Sequence, residues 1–320
     1  MLDLEILHFY STTGASAFVD FPSGAELFQK TVGQLAFSHP FLMHELLSLS
    51  ALQLSIIHKS ETGRSKVYTH ASDTHLATAL SLYQPEIANL SETNCDACFS
   101  FSTIMFVHAW AAQDISQPST LFFAPDEPPC GDGKLAMHTV QWVKLHFGTH
   151  TILESIWPIL EKGRLGALFE PWKGLDPNRE DRLDPVEKEV LDDLASAWHA
   201  PTCNLAQDQK GVLDLILTKL RRIYSMLNPK YNQKVSKLSV VISWFNMLSE
   251  EYLKMLERKT PEALLLVVYY CVCLKQLEHV WWMKDKAENL LRTVIDALEK
   301  KGGGKWERWT QWPIEQVIEQ

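Results

Sequence analysis

Apolar residues recur along this chain at steps of three and four. Leu213, Ile216, Leu217, Leu220, Ile223, Tyr224 and Leu227 fall on one face of a helix, because 3.6 residues complete a turn. Leu238, Val241, Ile242, Phe245 and Leu248 repeat the pattern, as do Leu290, Leu291, Val294, Ile295 and Leu298. Alternating runs bounded by tight turn pairs are missing, so no sheet is predicted. Helix starts carry their own marks. Thr151 and Glu154 have the spacing of a capping box, in which side-chain oxygens satisfy free amides of the first turn. Asp184, Pro185 and Glu187 add proline at the first helical position, where its missing N–H costs nothing, and Thr260–Pro261 places proline likewise. The pattern predicts an all-α fold: a large multi-helix bundle with one shared hydrophobic core.

Two stretches interrupt the periodicity. Gln117 to Gly133 holds Pro118, Pro125, Pro128, Pro129 and Gly131, and Glu170 to Asp184 holds Pro171, Gly174 and Pro177. The loop 117–133 is the candidate subdomain break. The segment before it is short for an independent domain, so a single domain spanning 1–320 is expected. No internal repeat and no low-complexity tract stands out.

Composition narrows the function classes. With 46% hydrophobic and 22% charged residues the chain has the balance of a globular protein, and its 11 Trp, 14 Phe and 8 Tyr supply ample core. The formal charge of −9 argues against a phosphate-tracking surface. The strongest basic group, Lys219, Arg221 and Arg222, lies on an amphipathic helix and reads as a solvated face, so no direct DNA contact is expected. The N-terminal sequence lacks the basic and apolar regions of a signal peptide. The longest uninterrupted apolar run, Ala263 to Leu274, falls short of the roughly 20 residues of a membrane span. Without secretion, the six cysteines are expected as reduced thiols, which places the protein in cytosol or nucleus.

Catalytic chemistry finds little to stand on. Cys95 and Cys98 form a single CxxC with no second pair to complete four zinc ligands, so they read as buried thiols. His146 and His150 have helical metal spacing, yet Gly148 weakens the turn and no HExxH surrounds them. His70, Asp73 and His75 read as polar surface. No GxSxG elbow is present. Gly302, Gly303, Gly304 and Lys305 lack the spacing, the Ser or Thr, and the preceding strand of a phosphate loop, and read as a helix cap and hinge. No cofactor and no metal is expected, and no enzyme is supported. The alternative is an enzyme or accessory protein handling a hydrophobic substrate in a biosynthetic pathway. It predicts a pocket where His and acidic side chains converge. A pure dimerisation scaffold would instead expose an apolar patch.

Four strings, in order, resemble one family. LAFSHPFLMHELLSLSAL (Leu35–Leu52), ETNCDACFSF (Glu92–Phe101), YYCVCLKQLEHVWW (Tyr269–Trp282) and WERWTQWPIE (Trp306–Glu315) are similar to segments of fungal zinc-cluster regulators of the sterol-uptake-control type. The likeness runs from near residue 4 to the C terminus. It implies the regulatory, C-terminal domain of an RNA polymerase II regulator, helical throughout, with a hydrophobic pocket for sterol. The family's Zn2Cys6 cluster is not matched, because the cysteines between Cys95 and Cys273 have the wrong spacing. DNA recognition therefore does not carry over, and a homodimer or a DNA-binding partner protein becomes the expected route to genes. The expected location is the nucleus, or cytoplasm with ligand-dependent nuclear entry. Within this reading the helix from Pro261 to Trp282 packs against the helix from Ser91 to Trp110. Phe101, Met105, Tyr269 and Trp282 line a pocket for a sterol or other lipophilic ligand. Gly302–Gly304 lets the Trp309–Pro313 tail rearrange on binding.

Overall fold

The computed structural model describes residues 1–112 (apart from 18, 20 and 21), 156–173, 182–230 and 234–319. Among the described residues the regular elements are all helical, as the apolar periodicity predicts. They divide into two compact units, Met1–Ala112 with Leu145–Lys173, and Gln113–Lys144 with Gly174–Gln320. The loop 117–133, the Thr151–Glu154 cap and His146 and His150 lie outside the described residues.

The first unit comprises α1 (Leu2–Thr12), α2 (Pro22–Leu27), α3 (Gly33–Ser38), α4 (Pro40–Ile57), α5 (Thr62–Ala88), α6 (Cys95–Ala111) and residues 156–162 (α7). Its axis is α4. Pro40 sits in the first helical turn, and His39 before it is extended, the backbone that a residue preceding proline prefers. Buried residues run through almost the whole length of α4, and α1, α3, α5 and α6 all pack on it. By length and composition α4 could cross a membrane, with mean hydropathy 1.3, yet 67% of it is buried inside the fold. It is a core helix.

α5 is built differently. Its interior face is narrow, with Tyr68, Ala71, Ser72, His75 and Ala79 at three- and four-residue steps, and most of the rest, the apolar Val67, Leu80 and Leu82 included, is exposed. Small residues on that face let α5 lie close along α4. Ile6, Leu47, Ala51, Leu54, Tyr68 and Ala71 form one apolar cluster at the α1–α4–α5 junction. Tyr68 closes its edge by donating to Glu5 at 2.6 Å, where Arg64 also reaches. These bonds hold the Glu5 carboxyl below the ordinary carboxylate range.

The second unit comprises α8 (Pro185–Leu194), α9 (Ser196–His199), α10 (Gln207–Leu227), α11 (Lys237–Asn246), α12 (Glu250–Glu257), α13 (Pro261–Lys275), α14 (Lys286–Gly302) and α15 (Glu307–Val317). The Asp184 capping box forms as expected: its carboxylate accepts from Val186 while Glu187 accepts from the Asp184 amide. The apolar stripe of α10 is buried as read, Leu213 through Leu227. In α11 and α14 the stripe is buried except for Ile242 and Ile295, which stay partly exposed. At the centre, α13 is buried without a gap from Glu262 to Cys271. Phenol hydroxyls fix its surroundings. Tyr224 donates to the Tyr269 carbonyl at 2.7 Å, Tyr252 to that of Ala263 at 3.0 Å and Tyr270 to that of Val241 at 3.0 Å. Trp244 stacks on Tyr270 with centroids 4.0 Å apart, and Phe245 meets the same ring edge-on.

α13 ends at Lys275, earlier than the expected Trp282. Three-residue turns take over, from Gln276 to Cys273 and on through Met283 to Val280, and Asp285 adopts a left-handed φ of 61° before α14 begins. Asn and Asp tolerate that conformation through local side-chain hydrogen bonding. Trp282 therefore sits in a turn, buried, and not on the helix face.

Candidate functional site

The expected lining residues are all buried, and they fall into two pairs belonging to different units. In the first unit Phe101 stacks on Tyr83 (4.0 Å, 22° between planes) and meets Phe41 edge-on at 5.7 Å, while Met105 lies one turn further along α6. Burial pushes the Tyr83 hydroxyl up to about 12, and that hydroxyl bonds Ser102 at 2.8 Å. In the second unit the Tyr269 ring faces Trp312 of α15 at 5.7 Å, and burial raises its phenol well above the ordinary value. Trp312 lies between Tyr269 and Tyr224, the latter ring 6.5 Å away.

The glycine turn has a clear geometry. Gly303 has φ 55° and ψ −146°, a region open almost only to glycine. A Cβ on Gly302 would stand 2.5 Å from Trp306 Nε1. These residues reverse the chain so that α15 returns over α13 and α14. Arg308 pairs with Asp193 of α8, and Trp309 Nε1 donates to the Asp193 carbonyl at 3.3 Å. The basic group on α10 is likewise engaged within the protein. Lys219 donates to the Met247 carbonyl, Arg221 pairs with Asp192, and Arg222 Nε is buried. It is not the solvated face the sequence suggests.

The chemistry that the sequence did not flag is in the first unit. Polar residues embedded in α4 are buried: Glu45, Ser48, Ser50, Gln53 and Ser55. Glu45 is 0% exposed, and neither carboxylate oxygen has a hydrogen bond. His108 Nδ1 of α6 stands 3.4 Å from Oε1 but poorly aligned. Burial raises the Glu45 carboxyl, and His108 opposes that only in part. Ser48 donates to the Ser72 carbonyl of α5 at 2.9 Å and also lies 3.4 Å from His108 Nδ1. One turn away, His44 Nδ1 and His75 Nδ1 are 2.8 Å apart, with ring centroids at 5.1 Å. On its other edge His75 Nε2 faces Asp3 at 3.5 Å. His75 is thus buried, unlike its expected polar-surface neighbours His70 and Asp73, which are exposed.

Serine, histidine and carboxylate together invite a catalytic reading, but the geometry does not assemble one. A relay needs the two ring nitrogens on different partners. Here Ser48 and Glu45 both approach the same Nδ1 of His108, and the Ser48 hydrogen points to a carbonyl. Among the described residues no group of three His, Cys, Asp or Glu could hold a metal ion. Cys95 and Cys98 are buried free thiols, with Cys98 pushed up to about 12 by burial. A groove of about 490 Å³ opens beside this polar seam, lined by Leu2, Asp3, Lys66, Val67, His70, Ala71, Thr74 and His75. Through His75 the seam reaches the surface.

Comparison with known proteins bears on this same stretch. Residues 5–119, from the start of α1 to beyond α6, match the family described as fungal specific transcription factor domain. Over 98% of its length the chain is 22% identical to a Zn(2)-C6 fungal-type transcription factor of Gibberella zeae, covering 61% of that protein. Sterol uptake control protein 2 of Saccharomyces cerevisiae is 30% identical over 51% of this chain, which spans 16% of that relative. Its namesake in Candida albicans is 29% identical over 51% of this chain, spanning 20% of that protein. The chain thus spans less than two thirds of the length of each of these relatives. In this match across α1 to α6, and in its all-helical described elements, the chain is similar to the regulatory domains of fungal transcription factors.

Proposed function

We propose that this chain is the effector part of a regulator of RNA polymerase II transcription and that it responds to a nonpolar guest, a sterol or a related lipophile. The observation that carries the reading is the match of residues 5–119 to a transcription-factor domain in a chain also similar to two proteins named for control of sterol uptake. Both units are taken as parts of one regulatory domain. Phe101 and Met105 in the first unit, and Tyr269 and Trp282 in the second, offer the apolar surfaces a guest would enter, and the Trp312 ring packed on Tyr269 is the contact it would disturb. The Gly302–Gly304 turn lets α15 move when that contact changes. Such a regulator acts in the nucleus, or enters it on binding, and reaches DNA through a homodimer or a partner that reads bases.

The test is a titration of the purified chain with a fluorescent sterol while tryptophan emission is followed. A saturable change, weakened by Phe101→Ala or Tyr269→Ala in a protein that still unfolds cooperatively, supports the reading. Absence of saturable binding across sterols, fatty acids and isoprenoids overturns it.

A further inference from the structure

The contact between His44 and His75 has a property that ordinary buried hydrogen bonds lack. Two Nδ1 atoms 2.8 Å apart form a bond only when one carries a hydrogen and the other does not. On the far edge of His75, Nε2 faces the Asp3 carboxylate, which favours a hydrogen on that nitrogen. His75 Nδ1 is then the acceptor and His44 Nδ1–H the donor. A ring protonated at both nitrogens can still take part if its partner changes tautomer. Two such rings cannot, because both Nδ1–H groups would then point at each other.

We propose that His44 and His75 form a proton-operated latch between α4 and α5, closed while the pair carries at most one extra proton and forced open by a second. The latch sits where it matters mechanically. α4 is the axis of the first unit and α5 lies along most of it, and both histidines fall inside the stretch matched to the transcription-factor domain. Opening it would also reshape the groove that His75 lines with Lys66 and His70, next to the Asp3 end of α1. The domain would thereby report acidification of its compartment, independently of any lipophile.

The charged groups around the pair are few. α1 contributes Asp3, α5 contributes His75 itself with exposed Lys66 and His70 in the groove, and α3 has no titratable side chain. On α4 the neighbouring Glu45 turns to His108 of α6. Burial first, and then the His75 charge, hold His44 below the ordinary histidine value, with Asp3 opposing. A histidine depressed in the folded state gives stability that is complete above its unfolded value of about 6.5 and is lost as pH falls toward the folded one. Glu45 has the opposite sign, since its raised carboxyl stabilises the fold on protonation. A difference between wild type and a His44 variant cancels that contribution.

Two measurements test the latch on the full chain. In nitrogen-detected histidine spectra at neutral pH, His44 should be the Nδ1–H tautomer, rare for free histidine, and His75 the Nε2–H tautomer. Finding both rings in the common Nε2–H form overturns the proposal. In denaturant titrations from pH 7.5 to 5.5, the folding constant of wild type should fall relative to that of His44→Gln, by at most about tenfold per pH unit for one linked proton. Glutamine can still bond His75 but takes up no proton. Parallel curves would sink the latch even if the variant is less stable throughout, and the tautomer spectra need no variant at all.

Discussion

In the second unit Tyr224, Tyr252 and Tyr270 each end on a main-chain carbonyl, whereas in the first unit His44 meets His75, and Glu45 and Ser48 both approach His108. A phenol bonded to a carbonyl has a single working state over the physiological range, and burial pushes these hydroxyls further from titrating. Imidazole and carboxylate groups in contact have several states whose energies depend on one proton. The aromatic unit is therefore fixed by its chemistry, and the seam around α4 is adjustable. Both interiors are helical and apolar by area, so the difference lies in a handful of polar atoms.

The comparison can be broken by removing what fixes the second unit. Trp244→Ala deletes a fully buried ring stacked on Tyr270 and should cost about 3–5 kcal/mol in denaturant unfolding. A loss under about 1 kcal/mol would show that this cluster does not anchor α13. Gly303→Ala comes next. No atom lies within 4 Å of the new methyl, so the cost is purely conformational, about 1–3 kcal/mol, read as a lowered calorimetric midpoint. An unchanged midpoint would mean that the turn relaxes freely.

Glu45→Gln sharpens the contrast, because it should stabilise. An amide of the same shape removes the cost of a buried carboxylate without hydrogen bonds, a gain of about 1 kcal/mol at neutral pH. The sign follows from the raised carboxyl: the proton's contribution is present below about 4.5 and lost as pH rises through the folded value. The advantage of glutamine should grow with pH and vanish in acid, and a destabilised variant at pH 7 would contradict it. Arg308→Ala should do least. Arg308 is 67% exposed in its pair with Asp193, so less than about 1 kcal/mol is expected, shrinking with added salt.

Legibility followed the same divide. Stripes such as Leu213–Leu227 and Leu290–Leu298 repeat within one helix, so local periodicity shows them. The Asp184 box and the buried Cys95–Cys98 pair are local as well. The seam is not. His44 and His75 are 31 residues apart and Ser48 and His108 are 60 apart, and nothing in either string names the other. One signal was present in α4: an apolar run on all sides that contains Glu45, Ser48 and Gln53 must bury some of them. The end of α13 at Lys275 was hidden because Leu277, Val280 and Trp282 continue an apolar pattern through turns that bury them equally well.

The return of α15 over α13 also bears on how the chain is made and discarded. Val317, Pro313 and Thr310 are buried, and Trp312 covers Tyr269 and Tyr224. A premature stop near the glycine turn would leave those rings facing water, a greasy surface of the kind that chaperones bind and proteases follow. Burial of these rings in the second unit therefore waits on the last helix of the chain.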